Sequence, residues 1–284
     1  MKVISFINMK GGVGKTTLSV NMAYCLAKEF GKAMLLVDMD PQFNATQYLV
    51  PTQEYIEEYL KGDKRKTVYD ILRDEPTRVP DMVTGKERPG DEKRVSLENV
   101  VKNVYSGEGK LDLIASTLQL MELENSRRGA EHRLNNFTAK VRERYDFIFL
   151  DCPPTMSFFT LSAYLASDGY IIPVKPDYLS SVGLPLLERA LRDYEGTYGK
   201  KVKREGIIFV MVDIRTNLMR EIRETISSGS YGGTVFTNYM RQSISIAESV
   251  QANQPITNYA KAKDHAKELY AITEEFLSMV EETR

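Results

Sequence analysis

Tryptophan is absent from the 284 residues, and cysteine and histidine occur only twice each. Cys25 and Cys152 are too few for a disulfide framework and fit a reducing cytoplasm. His132 and His265 leave little material for a histidine-based zinc or catalytic centre, so zinc is not expected. No apolar run reaches the ~20 residues a spanning helix needs, and the N-terminus passes directly into a strand-like run. Neither an anchor nor a signal peptide is therefore expected. A strong charge imbalance is also lacking: 38 Lys and Arg stand against 39 Asp and Glu, a net charge of −1.

What is present is a hydrophobic content of 42%, enough to bury a full core, most simply as one α/β domain over 1–284. Strand-like runs at 3–7, 33–38, 111–115, 147–151, 170–174 and 206–212 alternate with helical stretches near 16–30, 131–144, 181–198 and 217–227. That alternation predicts a mostly parallel twisted sheet with helices on both faces and ligands at the carboxyl ends of the strands. An irregular excursion is expected at about 51–95, where 75–92 mixes charges with Pro76, Pro80, Gly85, Pro89 and Gly90.

The run Lys10-Gly11-Gly12-Val13-Gly14-Lys15-Thr16-Thr17 directly follows the first strand. Glycines there let backbone N–H groups close around an anion, and the start of the next helix adds its positive dipole end. Lys15 supplies charge for the β- and γ-phosphates, and the Thr16 hydroxyl suits Mg²⁺. The strict G-x-x-x-x-G-K-[ST] spacing fails, because Met9 stands where the first glycine would be. A second lysine, Lys10, stands at the entrance instead. It can meet the phosphates of its own nucleotide or those of a facing subunit.

Lys10 to Thr17 resembles the deviant Walker A box of the ParA/MinD superfamily of P-loop NTPases. Asp38-Met39-Asp40-Pro41-Gln42 resembles that family's second aspartate box, and Phe147 to Pro154 its Walker B strand and switch turn. Matching segments continue through 171–174, 211–218 and 235–255 in the family's order, and 67–72 resembles a short helix the family also has. The fit is best to the ParA branch that segregates plasmids and chromosomes.

The resemblance implies ATP and Mg²⁺ as cofactors, with Gly11, Gly12, Val13, Gly14 and Thr17 completing the ATP-binding loop. It implies that Lys10 reaches across an ATP-bound homodimer. Three carboxylates follow strands beside the loop: Asp38 and Asp151 to hold the metal through water, and Asp40 to orient the attacking water. Lys10, Lys15 and Asp40 are thus the expected catalytic residues. The expected activity is slow ATP hydrolysis, stimulated by a ParB-like centromere-binding partner and by nonspecific DNA, at the nucleoid in the cytoplasm.

Charge is uneven along the chain. Residues 200–267 hold eleven Lys or Arg against six acidic residues, which suits nucleic-acid phosphate. By resemblance, Arg215 and Arg241 match DNA-backbone contacts, on a surface expected to be separate from the phosphate loop. Residues 268–284 carry five glutamates and one arginine on an amphipathic closing helix. A MinD-like ATPase cycling on a membrane would need cations there, so membrane attachment is disfavoured. A reductase holding a bridging metal cluster would need paired cysteines, and Cys25 and Cys152 are poorly placed for that. A non-hydrolysing nucleotide-switch regulator fits less well with the full set of Lys10, Lys15, Asp40 and Asp151.

Overall fold

The structure is a computed structural model that describes residues 1–61, 65–73, 95–124, 129–228 and 234–281. Seven strands form one sheet: β1 Lys2–Phe6, β2 Ala33–Asp38, β3 Val101–Ser106, β4 Lys110–Ile114, β5 Phe147–Asp151, β6 Gly169–Val174 and β7 Lys203–Phe209. Their order is β3-β4-β2-β5-β1-β6-β7, and every neighbouring pair is parallel except β3 with β4. The longer helices are α1 Lys15–Glu29, α2 Asn44–Leu49, α3 Arg133–Val141, α4 Phe158–Ala166, α5 Tyr178–Tyr198, α6 Leu218–Ser227, α7 Ile244–Gln251 and α8 Lys263–Glu281.

The strands are apolar on both faces because both faces are covered. Val3, Leu35, Val37, Ile148 and Leu150 enter one core with Leu134 of α3, Tyr164 of α4 and Leu187 of α5. Their alternates Ile4, Phe6, Leu36 and Phe149 enter a second core with Leu26 of α1 and Ile272 and Phe276 of α8. Pro173 is tolerated inside β6 because β1 has already ended on that side. There Asn8, past the end of β1, donates its side-chain amide to the Pro173 carbonyl at 2.7 Å.

The expected mostly parallel sheet is present, with one addition. Edge strand β3 has no counterpart among the strand-like runs: its sequence VKNVYS lacks an apolar alternation, and Lys102 is buried against Glu54 and Glu58 rather than exposed. A register shift between Asn103 and Tyr105 breaks its pairing with β4. At the opposite edge, residues 234–242 lie along β7, with Ile207 N–H donating to Thr234 O at 2.7 Å and Phe236 N–H to Ile207 O at 2.9 Å.

Of the irregular excursion at 51–95, residues 62–64 and 74–94 lie outside the described residues, and with them the Pro/Gly-rich run. The rest contains the short helix Thr52–Tyr55 and the helical turn Ile56–Leu60. The short helix expected at 67–72 is present as Val68–Leu72, whose N-cap Thr67 exchanges capping bonds with Asp70.

The β3–β4 turn packs backbone to backbone on the α1–β2 turn. A Cβ on Gly109 would stand 2.4 Å from Lys32 O and 2.6 Å from Ala27 O. Gly109→Ala is therefore expected to lower unfolding stability by about 1–3 kcal/mol, the usual cost of overpacking, readable as a shifted denaturant midpoint.

Candidate functional site

The carboxyl ends of β1, β2 and β5 are adjacent, so the segments leaving these three strands converge. Gly12 and Gly14 take positive φ, 69° and 76°, where a side chain would be strained. Gly14 is the N-cap of α1 and offers no side chain, so the first N–H groups of the helix stay available to an anion. Lys15 is buried and donates to the Lys10 carbonyl at 3.2 Å, folding back over the loop. Burial lowers its pKa, while the Asp151 and Asp40 carboxylates pull the other way. A lysine desolvated next to carboxylates is well placed to gain from an incoming phosphate.

Asp38 and Asp151 are register partners on β2 and β5, and both are fully buried. Asp151 accepts from the Thr16 hydroxyl at 2.8 Å and the Ser19 hydroxyl at 2.9 Å. Asp38 accepts from the Thr46 N–H and hydroxyl, both at 2.8 Å, and from the Asp40 N–H at 3.1 Å. Burial, with Asp151 close by, pushes the Asp38 carboxyl well up; burial also raises that of Asp151 against the bonds from Thr16 and Ser19. Two buried carboxylates so close together favour a cation at this edge.

Among the described residues no group of three His, Cys, Asp or Glu side chains could hold a metal by itself. The donor set fits Mg²⁺, which keeps most of its waters and takes one or two protein oxygens beside phosphate. Thr16 would be the direct ligand and Asp151 its buried backstop. Asp40 is nearly buried; its Oδ1 accepts the Gln42 N–H at 2.9 Å, and Oδ2 has no hydrogen-bond partner among the described residues. Burial raises its pKa, which the Gln42 bond and Lys15 offset in part.

A cleft of about 1140 Å³ opens beside the loop, from Gly14 and Thr17 past Met211, Asp213 and Arg215 to Arg241 and Ile244. Met211 bends the chain there with φ at 55°, unusual for a residue with a side chain. Arg215 grips Asp213 through Nε at 2.8 Å and Nη2 at 2.7 Å. Arg241 pairs with Glu268 of α8. Outside the cleft, Lys10 reaches Asp177, whose other oxygen caps α5 by accepting the Ser180 N–H at 3.0 Å.

A family model described as an AAA domain matches residues 1–203. The sporulation initiation inhibitor protein Soj of Bacillus subtilis is 34% identical over 91% of this chain and 91% of its own length. The chromosome-partitioning ATPase Soj of Treponema pallidum is 31% identical over 91% of this chain and 90% of its own. The chain belongs to the ParA-type partitioning ATPases. A plasmid partition protein from Borrelia burgdorferi bound to AMPPNP shares the fold, with a TM-score of 0.74, 22% identity and 98% of each chain covered.

Within this ParA-type fold, Lys10, Lys15, Thr16, Asp38, Asp40 and Asp151 gather at one sheet edge, as their positions after strand-like runs imply. Three contributors lie outside that reasoning. Ser19 sits one turn beyond Thr16 on α1, a spacing that could have exposed it. Thr46 and Ser116, which buttress Asp38 and Asp40, carry no signal in the sequence. The arginines require a correction: Arg215 and Arg241 do not sit on a separate surface but line the same cleft as Gly14 and Thr17. The 211–215 turn and the 240–242 segment, joined by Val212 and Arg241, bring them there.

Proposed function

We propose that this chain is an ATP-driven partitioning switch that closes into a homodimer on ATP and Mg²⁺, binds nonspecific DNA, and reopens on hydrolysis. A ParB-like centromere-binding protein would stimulate a slow intrinsic turnover at the nucleoid. The observation that carries this is the doubled lysine of the phosphate loop, set against three buried or nearly buried carboxylates.

Lys15 would neutralise the β- and γ-phosphates in place, and the α1 N–H groups would hold their oxygens. When bound, Mg²⁺ would spread the charge that develops on the leaving diphosphate. Asp40, with one oxygen uncommitted, would orient the attacking water toward the γ-phosphorus and take its proton. Water adds to that phosphorus as the bond to ADP breaks, giving ADP and inorganic phosphate.

Two features support dimer closure. The Lys10–Asp177 pair is partly exposed, and such pairs are worth roughly 0–1 kcal/mol, so a triphosphate can displace the carboxylate. Directly after Asp177, Tyr178, Leu179, Val182 and Leu186 leave an apolar stripe exposed on α5, a face that a second copy would cover. Among the described residues, no helix is long and apolar enough to cross a membrane.

Lys10→Ala is expected to bind ATP yet stay monomeric and lose turnover. Gel filtration with and without ATP, with phosphate release measured in parallel, tests this. A variant that dimerised and hydrolysed normally would rule out the trans-acting lysine.

For DNA, Arg241→Ala is expected to delete two phosphate contacts per dimer. The slope of log affinity against log salt should become shallower, by at most about 2, equally for all sequences. Titrations against random duplex at several salt concentrations measure it, with ATP affinity determined alongside because Arg241 borders the nucleotide cleft. An unchanged slope would remove Arg241 from the DNA contacts.

A further inference from the structure

Both arginines proposed to meet DNA phosphate are already paired with carboxylates of their own chain. Arg241 gives its Nε to one oxygen of Glu268 and its backbone N–H to the other at 3.0 Å. His265 Nδ1 lies 2.9 Å from that second oxygen. The two terminal nitrogens of Arg241 have no partner among the described residues. Arg215 is matched by Asp213. Counting Arg215, Arg241 and Lys267, which pairs with Asp264 at 4.0 Å, against Asp213, Asp264 and Glu268, three positive charges are balanced by three negative ones around the rim. The basic surplus that the sequence shows over 200–267 is therefore cancelled at the place where the arginines stand.

The two pairs are unequal. Arg215 is 85% exposed and its carboxylate lies two residues away, so solvent and salt screen the pair. The Arg241–Glu268 pair is less exposed, with Arg241 36% and Glu268 17% accessible, and it joins two segments far apart in sequence. Charges act more strongly on each other where water is partly excluded. An arginine paired this way adds less than a free one to the counterion release that drives phosphate binding. We infer that Glu268 acts as a restraint on DNA binding, partly neutralising Arg241 so that the chain binds DNA more weakly than its arginines allow.

The inference rests on the DNA binding proposed for this chain and adds a residue outside the phosphate site that tunes it. Glu268→Gln keeps the size of the side chain and an acceptor oxygen while removing the charge. Its expected effect is opposite to that of removing the arginine.

The test is titration of wild type, Glu268→Gln, Arg241→Ala and the double variant against random duplex DNA, with ATP and Mg²⁺ at several salt concentrations. Glu281→Gln, about 20 Å further along α8, makes the same net-charge change away from Arg241. Glu268→Gln should bind roughly tenfold tighter at low salt and steepen the salt slope. The gain should vanish in the Arg241→Ala background and be absent from Glu281→Gln. Thermal melts verify folding, and Glu268→Ala, which also frees the arginine, serves if the amide variant unfolds.

Unchanged or weakened binding by Glu268→Gln, while Arg241→Ala weakens it, would overturn the restraint and leave DNA binding by the arginines standing. A gain that persists without Arg241, or that Glu281→Gln reproduces, would overturn it too. If no protein in the series binds DNA, the proposed DNA binding itself fails and the restraint falls with it.

Discussion

Lys15→Ala should bind nucleotide some hundredfold to several thousandfold more weakly than wild type. The ammonium is buried beneath the loop among Asp40, Asp151 and Cys152. Removing one partner of a buried charge pair costs about 3–5 kcal/mol, or two to nearly four decades in affinity. Titration of a fluorescent ATP analogue reads the loss directly. A dissociation constant within tenfold of wild type would mean that the backbone N–H groups of the loop hold the phosphates largely unaided.

Asp40→Ala should leave ATP binding and dimer formation intact while turnover falls about 10²–10⁴-fold, the usual contribution of a positioned base. The carboxylate does little for the fold: its Oδ1 accepts one N–H, and the Ser116 hydroxyl binds the Asp40 backbone carbonyl, which alanine retains. Single-turnover phosphate release and gel filtration with ATP separate the two effects. Loss of nucleotide binding together with turnover would place Asp40 in binding instead of chemistry.

Much of this site is legible in the sequence because its parts are local. A loop made of glycines after an apolar run, and aspartates at the ends of such runs, are read from neighbours in the chain. The strands β1, β2 and β5 are equally plain, since burial on both faces leaves unbroken apolar sequence. The hidden features depend on pairs distant in sequence. Strand β3 owes its place to Lys102 meeting Glu54 and Glu58, a burial that no alternation of polar and apolar residues announces. Thr46 supports Asp38 from a helix, and Ser116 supports Asp40 from beyond β4. The arginines illustrate the limit most clearly. Counting charges along 200–267 yields a basic surplus, yet only the packing of α8 against 240–242 reveals that Glu268 answers Arg241.

The two rims of the sheet bear on how this protein behaves in a crowd. Beyond β7 the segment 234–242 takes up hydrogen bonds that a bare strand would offer to any neighbour. At the other rim, β3 carries Lys102, Asn103 and Ser106 and is broken in register, a poor template for a further strand. Among the described residues, copies brought close together thus find no long ribbon of open backbone along which to stack. Association is left to side-chain surfaces, which can let go again, whereas strands zipped edge to edge would build a fibre.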